Sequence, residues 1–250
     1  MSADPDLAMV AQLIGEPARA AMLAAVLRVE ALPAGELARA AGVSPQTASM
    51  HLAKLVHGGL MQVRQHGRHR YYALSGPQVA EVLEQLALLA RPAPVRSLNQ
   101  SEAAQALRFA RTCYDHLAGT LGVAVAERLL TLQLIAQQDE EYAVTQEGIA
   151  WLAKYDLAWP PTTRSRCKPI RRCLDWSERR YHIAGAFGAL LTAWLLDQGW
   201  IERHGSQRAV QVTALGRAGL LREWGLDVAV LQTTRAHTAN HGALKSFRAL

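Results

Sequence analysis

Val43-Ser44-Pro45-Gln46-Thr47-Ala48-Ser49-Met50-His51-Leu52-Ala53-Lys54-Leu55 decides the fold of the N-terminal third. Ser44 offers an oxygen to the free N–H groups of a helix start, and Pro45 suits the first helical position. Val43, Ala48, Leu52 and Leu55 fall on one face and pack inward. Gln46, Thr47, Ser49, Met50, His51 and Lys54 fall elsewhere, and most are polar and uncharged. The helix runs to about His57, where Gly58-Gly59 stops it. Upstream, residues 34–41 read as a short support helix anchored by Leu37, Ala38 and Ala41, with Gly42 allowing the turn. Two short helices around a tight turn, the second with a small polar outer face, make a helix-turn-helix. Such a face can approach a groove floor and hydrogen-bond base edges.

Working outward, residues 60–74 form two β-prone arms around His66-Gly67, the pattern of a hairpin. Arg64, His66, Arg68, His69 and Arg70 make that hairpin a basic wing for backbone phosphates or the minor groove. Residues 31–75 hold five Lys/Arg against one acid, the balance expected opposite a polyanion. Residues 6–29 read as helix divided at Pro17, and Gly76-Pro77 opens a further helix to about Ala90. Arg91-Pro92-Ala93-Pro94-Val95 is the linker, which sets two domains at 1–92 and 97–250.

These residues resemble the ArsR/SmtB family of winged-helix repressors, over about residues 7–90. The resemblance implies a homodimer built by the first and last helices of that module, and binding to an inverted repeat in double-stranded DNA at a promoter. It places Ser44, Gln46, Thr47, Ser49, Met50, His51, Lys54, Arg64, His66, Arg68, His69 and Arg70 against DNA. It does not carry over a metal: the support helix Gly35-Glu36-Leu37-Ala38-Arg39 lacks the family's thiol pair, and residues 78–86 lack its Asp and His.

The second domain reads as a mainly helical module of two winged-helix-like repeats with short hairpins, at about 105–155 and 165–224. Cys113-x-Asp115 answers Cys173-x-Asp175, and His116-Leu117-Ala118-Gly119 answers His182-Ile183-Ala184-Gly185. Val144-Thr145-x-x-Gly148 answers Val212-Thr213-x-x-Gly216, at a similar offset. Asn99 and Glu102 read as a capping box opening a helix to about Leu117, and Asp175 with Glu178 as a second one. On that reading Cys113 and His116 share a helical face. The module resembles the extension of a larger subgroup of the same family, through residues 111–119 and 173–180.

Cys113, His116, Cys173 and His182 are a candidate effector or metal set, since two thiolates and two imidazoles suit tetrahedral zinc or another thiophilic ion. The same residues also suit a plain role, with Cys113 as a small buried hydrophobe and each His at a helix junction. Cys167 and Cys173 are redox candidates, because Arg164, Arg166, Lys168, Arg171 and Arg172 around them favour the thiolate. The same charge could hold an anionic effector or DNA phosphate. Trp151, Trp159, Trp176, Trp194 and Trp200 suit a core or an apolar effector pocket.

Three cysteines in 250 residues make no disulfide framework. No basic-then-apolar leader opens the chain and no apolar run is long enough for a span, so a cytoplasmic protein with no membrane partner is expected. No phosphate loop, nucleophile elbow or zinc-protease helix is present, so no enzyme is expected. The expectation is a dimeric DNA-binding transcription regulator, a repressor controlled by a small-molecule, metal or redox event in the second domain. The alternatives are the same head fused to a small enzyme domain, or an effector-free architectural DNA binder.

Overall fold

The computed structural model describes residues 4–27, 29–67, 69–90, 98–160, 169–203 and 208–233, with backbone alone at 98–101. The chain divides into two compact units, Met1–Ala90 with His204–Arg208, and Arg91–Arg203 with Ala209–Leu250.

In the first unit, α1 (Leu7–Gly15) and α2 (Pro17–Val26) meet at 85°. The break lies at Glu16, whose carboxylate accepts from the Ala18 and Arg19 N–H groups ahead of Pro17. After β1 (Leu32–Pro33), α3 (Ala34–Ala41) ends at Gly42, whose φ of 65° lets the chain turn left-handed. α4 (Pro45–His57) follows, then β2 (Met61–His66), β3 (His69–Leu74) and α5 (Pro77–Leu89). The hairpin is antiparallel from Met61↔Leu74 to His66↔His69, and β1 pairs with β3. Met22, Leu23, Leu37, Leu52, Leu55 and Met61 fill the core between the helices. The inward residues of α4 are fully buried at Ala48, Leu52 and Leu55, which turns its opposite face to solvent.

The second unit begins with α6 (Leu98–Phe109), then runs through hairpin, helix, hairpin and helix twice. The first pass is β4 (Arg111–Cys113), β5 (His116–Ala118), α7 (Gly119–Thr131), β6 (Ile135–Gln138), β7 (Glu141–Val144) and α8 (Gln146–Lys154). The second is β8 (Arg171–Leu174), β9 (Tyr181–Ala184), α9 (Gly185–Asp197), β10 (Ile201–Arg203), β11 (Val210–Val212) and α10 (Ala214–Trp224). All paired strands are antiparallel. The Val-Thr-x-x-Gly motif has the same job in both passes. Thr145 caps α8 at Gly148 N, and Thr213 caps α10 at Gly216 N. A Cβ on either glycine would strike the carbonyl of Leu134 or Trp200 in the preceding hairpin. Trp151, Trp194, Trp200 and Trp224 pack ring on ring in one core, with Trp194 centred 4.9 Å from Trp200 and 5.3 Å from Trp151.

Three local expectations are corrected. α6 stops at Phe109, so residues 111–118 are a hairpin and Cys113 and His116 are cross-strand neighbours. All six strand residues are buried, and the chain reverses through Tyr114, in the left-handed region at φ 62°. Burial against the rest of the unit thus overrides the helical reading. Asn99 stands inside α6 and not ahead of it. Asp175 caps no helix, because residues 175–180 are the loop closing β8 onto β9. No single helix among the described residues is long and apolar enough to cross a membrane.

Candidate nucleic-acid interface and a buried Cys/His cluster

Ser44 holds the N-terminus of α4: its Oγ accepts from Thr47 N at 3.2 Å and lies 2.9 Å from Thr47 Oγ1. Gln46, Ser49, Met50 and Lys54 are exposed and Thr47 is half-buried. Ser49 donates to Pro45 O at 2.9 Å, which leaves its oxygen lone pairs outward. His51 turns partly inward, with Nδ1 3.3 Å from Glu16 Oε2. Glu16 is the carboxylate that caps α2, and those backbone N–H groups, with His51 and Arg19, hold its pKa below the usual range against the opposing effect of burial. On the wing, Arg64, His66, His69 and Arg70 are exposed, and Arg64 pairs with Glu30 at 3.2 Å. Arg68 lies outside the described residues. The face can therefore offer an amide, a hydroxyl and an ammonium from one helix beside a basic hairpin.

The second unit brings together Cys113, His116, Cys173 and His182, all buried. Their ligand atoms lie within 4.8 Å of one another. Each hairpin contributes one cross-strand pair, Cys113↔His116 from β4–β5 and Cys173↔His182 from β8–β9. The imidazoles stack with centroids 5.1 Å apart, and their Nε2 atoms are 3.1 Å apart. No disulfide joins the two cysteines. Ala118 and Ala184 pack beside the thiols. Cys167, Arg164, Arg166 and Lys168 lie outside the described residues, so of the redox pair only Cys173 is placed, within this cluster.

Behind each histidine stands the aspartate of its own Cys-x-Asp. Asp115 Oδ1 lies 2.9 Å from His116 Nδ1, and Asp175 Oδ2 lies 3.5 Å from His182 Nδ1. Asp175 is fully buried and heavily engaged. Its Oδ2 accepts from Arg111 Nη2 at 2.9 Å and Gly119 N at 2.7 Å, and its Oδ1 accepts from Ser177 N, Ser177 Oγ and Glu178 N. Arg111 also stacks over Trp176. Burial alone would raise the Asp175 pKa, but Arg111 and these donors hold it down to about 2. Burial likewise disfavours a charged His116, yet its hydrogen bond to Asp115 and the adjacent Cys113 carry it up to about 9. Burial and then the neighbouring His116 push His182 well below its ordinary value.

The sequence reading missed Arg111, Asp115 and Asp175 as members of this site. The repeated Cys-x-Asp was the available signal, but the partners of Asp175 come from elements far away in sequence. Arg172, beside Cys173 in sequence, stacks on Tyr181 at 3.8 Å.

Residues 14–64 match the helix-turn-helix domain family. Over 214 residues the chain is 42% identical to the uncharacterized HTH-type transcriptional regulator YdfF of Bacillus subtilis (strain 168), covering 86% of this chain and 95% of that protein. Solved structures similar to the chain include the homodimeric winged helix-turn-helix DNA-binding domain of Mb0332 from Mycobacterium bovis, a possible ArsR-family transcriptional regulator. It is 25% identical, with a TM-score of 0.31, over 36% of this chain and 89% of that one. NolR from Sinorhizobium fredii is 29% identical, with a TM-score of 0.31, over 34% of this chain and 85% of that one.

Proposed function

The chain belongs to the family of HTH-type transcriptional regulators, and from that premise we propose that it is a promoter-binding repressor that works as a homodimer. The observation that carries this reading is the exposed polar face of α4, set beside a basic hairpin. Gln46, Thr47, Ser49 and Met50 read base edges in the major groove, with Ser44 and His51 at the rim of that face. Lys54, Arg64, Arg70 and the wing histidines His66 and His69 hold phosphates.

Dimerisation is supported by apolar side chains left uncovered on α1 and α5. Leu7 and Leu89 are 75% and 85% exposed, and Met9, Val82 and Leu86 add to them. Large apolar side chains left exposed on the two end helices suit such an interaction face. A twofold pair of reading helices then demands an inverted repeat, with half-sites one helical turn apart, ~34 Å.

We assign 1–92 as the DNA-binding and dimerisation domain and 97–250 as the sensing domain. The second domain senses and does not catalyse. Its input is an ion, zinc or another thiophilic metal, at Cys113, His116, Cys173 and His182. A coupling of about 1–3 kcal/mol between that site and the reading heads is enough to control promoter occupancy.

The reading is tested by fluorescence anisotropy on the chain's own upstream DNA across a salt series. Affinity should fall steeply with salt and should exceed that for scrambled DNA. Equal affinity for both DNAs would replace it with an architectural binder, and no salt-sensitive binding at all would remove the DNA role assigned to α4.

A further inference from the structure

Resting on the reading that the Cys/His cluster takes a metal, we propose that it is a closed four-donor site for a thiophilic divalent cation of the zinc class, in which Asp115 and Asp175 aim the two histidines. The hydrogen-bond logic leads there first. A carboxylate only accepts, so the hydrogen bond from His116 to Asp115 puts hydrogen on His116 Nδ1, and the Asp175 charge 3.5 Å from His182 Nδ1, without a hydrogen bond between them, favours the same tautomer there. That leaves an Nε2 lone pair on each ring, and these two nitrogens face each other at 3.1 Å. A contact that short holds a shared proton when one ring is protonated, and a cation can take that proton's place. A carboxylate behind a ligating imidazole is the usual outer support of a protein metal site.

The dimensions agree. With metal–nitrogen bonds of ~2.0–2.1 Å and tetrahedral angles, two ligating nitrogens stand roughly 3.3 Å apart, and two thiolates at ~2.3 Å stand roughly 3.8 Å apart. The observed nitrogen separation is 3.1 Å, and all four donors lie within 4.8 Å of one another, so a small inward movement of the widest pair brings the set onto one ion. Two sulfurs and two nitrogens exclude magnesium and calcium, which demand oxygen. All four donors come from the protein and all are buried, so no position is left for a water or substrate. Charge balances as well: two thiolates neutralise a dication, and Arg111 neutralises the buried Asp175.

The helices behind the site pack closely against the hairpins. A Cβ on Gly188 of α9 would lie 3.0 Å from His116 Cβ and strike the Ile183 carbonyl. A Cβ on Gly122 of α7 would lie 2.6 Å from the Leu117 carbonyl and 3.7 Å from His182 Cβ. Gly188 is thus needed both by its own hairpin and by His116 of the other pass, whereas Gly122 clears its own hairpin and only touches His182 at ordinary contact distance. The ion joins two hairpins that are far apart in sequence, and acts as a cross-link within the second unit.

Full-length protein, stripped by chelator under reducing conditions, would be titrated with cobalt(II) and then zinc(II). The expected result is one cobalt per chain, with the visible bands of a tetrahedral thiolate–imidazole complex, bleached by zinc but not by magnesium. No cobalt spectrum and no retained zinc would overturn the metal reading itself. Displacement by magnesium would overturn the assigned cation class. Cys113→Ser should alter the spectrum through loss of a thiolate, and an unchanged spectrum would place the ion elsewhere. Asp115 is 51% exposed, so Asp115→Asn should fold as the parent does. It should weaken cobalt binding by about 10–100-fold while keeping the band pattern and the melting temperature of the metal-free protein. Wild-type affinity in Asp115→Asn would overturn the aiming role and leave the metal reading standing.

Discussion

The outer face of α4 and the Cys/His cluster use polar side chains in opposite ways. On α4, Gln46, Ser49 and Lys54 face water and wait for a partner. In the cluster, Cys113, His116, Cys173 and His182 are buried and held by one another and by Asp115 and Asp175. The first arrangement adds little to stability and is free to be tuned for recognition. The second is tied to the folding of its unit, because an unpaired polar group in a dry interior is costly. Substitutions should therefore separate into those that change binding at constant stability and those that change stability itself.

The sharpest test of that contrast is Asp175→Ala. It leaves Arg111 as a buried charge without its carboxylate, and breaking such a pair costs about 3–5 kcal/mol. Urea denaturation should show that loss, and a cost under ~1 kcal/mol would mean the pair is solvated and the contrast weaker than drawn. Next in size, Gly216→Ala places a Cβ against the Trp200 carbonyl, and overpacking of this kind costs about 1–3 kcal/mol by the same measurement.

On the recognition side, Gln46→Ala with Ser49→Ala should cost about 1–3 kcal/mol in binding the specific site, with the urea midpoint unchanged. If non-specific DNA loses as much, these side chains do not read bases. Smallest of all, Lys54→Ala should weaken binding to every sequence alike and lower the salt slope by about 1. A shift in its melting temperature would show that Lys54 supports α4 and is not simply waiting for phosphate.

The same contrast explains what could be read from the residues. α3, the turn and α4 depend on signals a few positions apart: Gly42 at φ 65°, Ser44 as cap, and Leu52 and Leu55 on one face. Residues 111–118 read as helix because Ala and Leu surround them, yet they form a hairpin. What decides their state is the buried surface they meet and the tie from Arg111 to Asp175, 64 residues on. The four cluster residues were recoverable as a set because the Cys-x-Asp and His-apolar-Ala-Gly patterns recur. Their cross-strand pairing was not, since it depends on the hairpin. Nor does helical spacing reveal that His51 leans on Glu16, a residue that reaches it only through the bend before α2.

Each pass supplies one cysteine and one histidine, so the donor set is whole only when both hairpins are in place. Gly188 adds a steric tie, since a side chain there would press on His116 of the other pass as well as on its own Ile183 carbonyl. Inheritance of the four-donor set is therefore inheritance of both passes together.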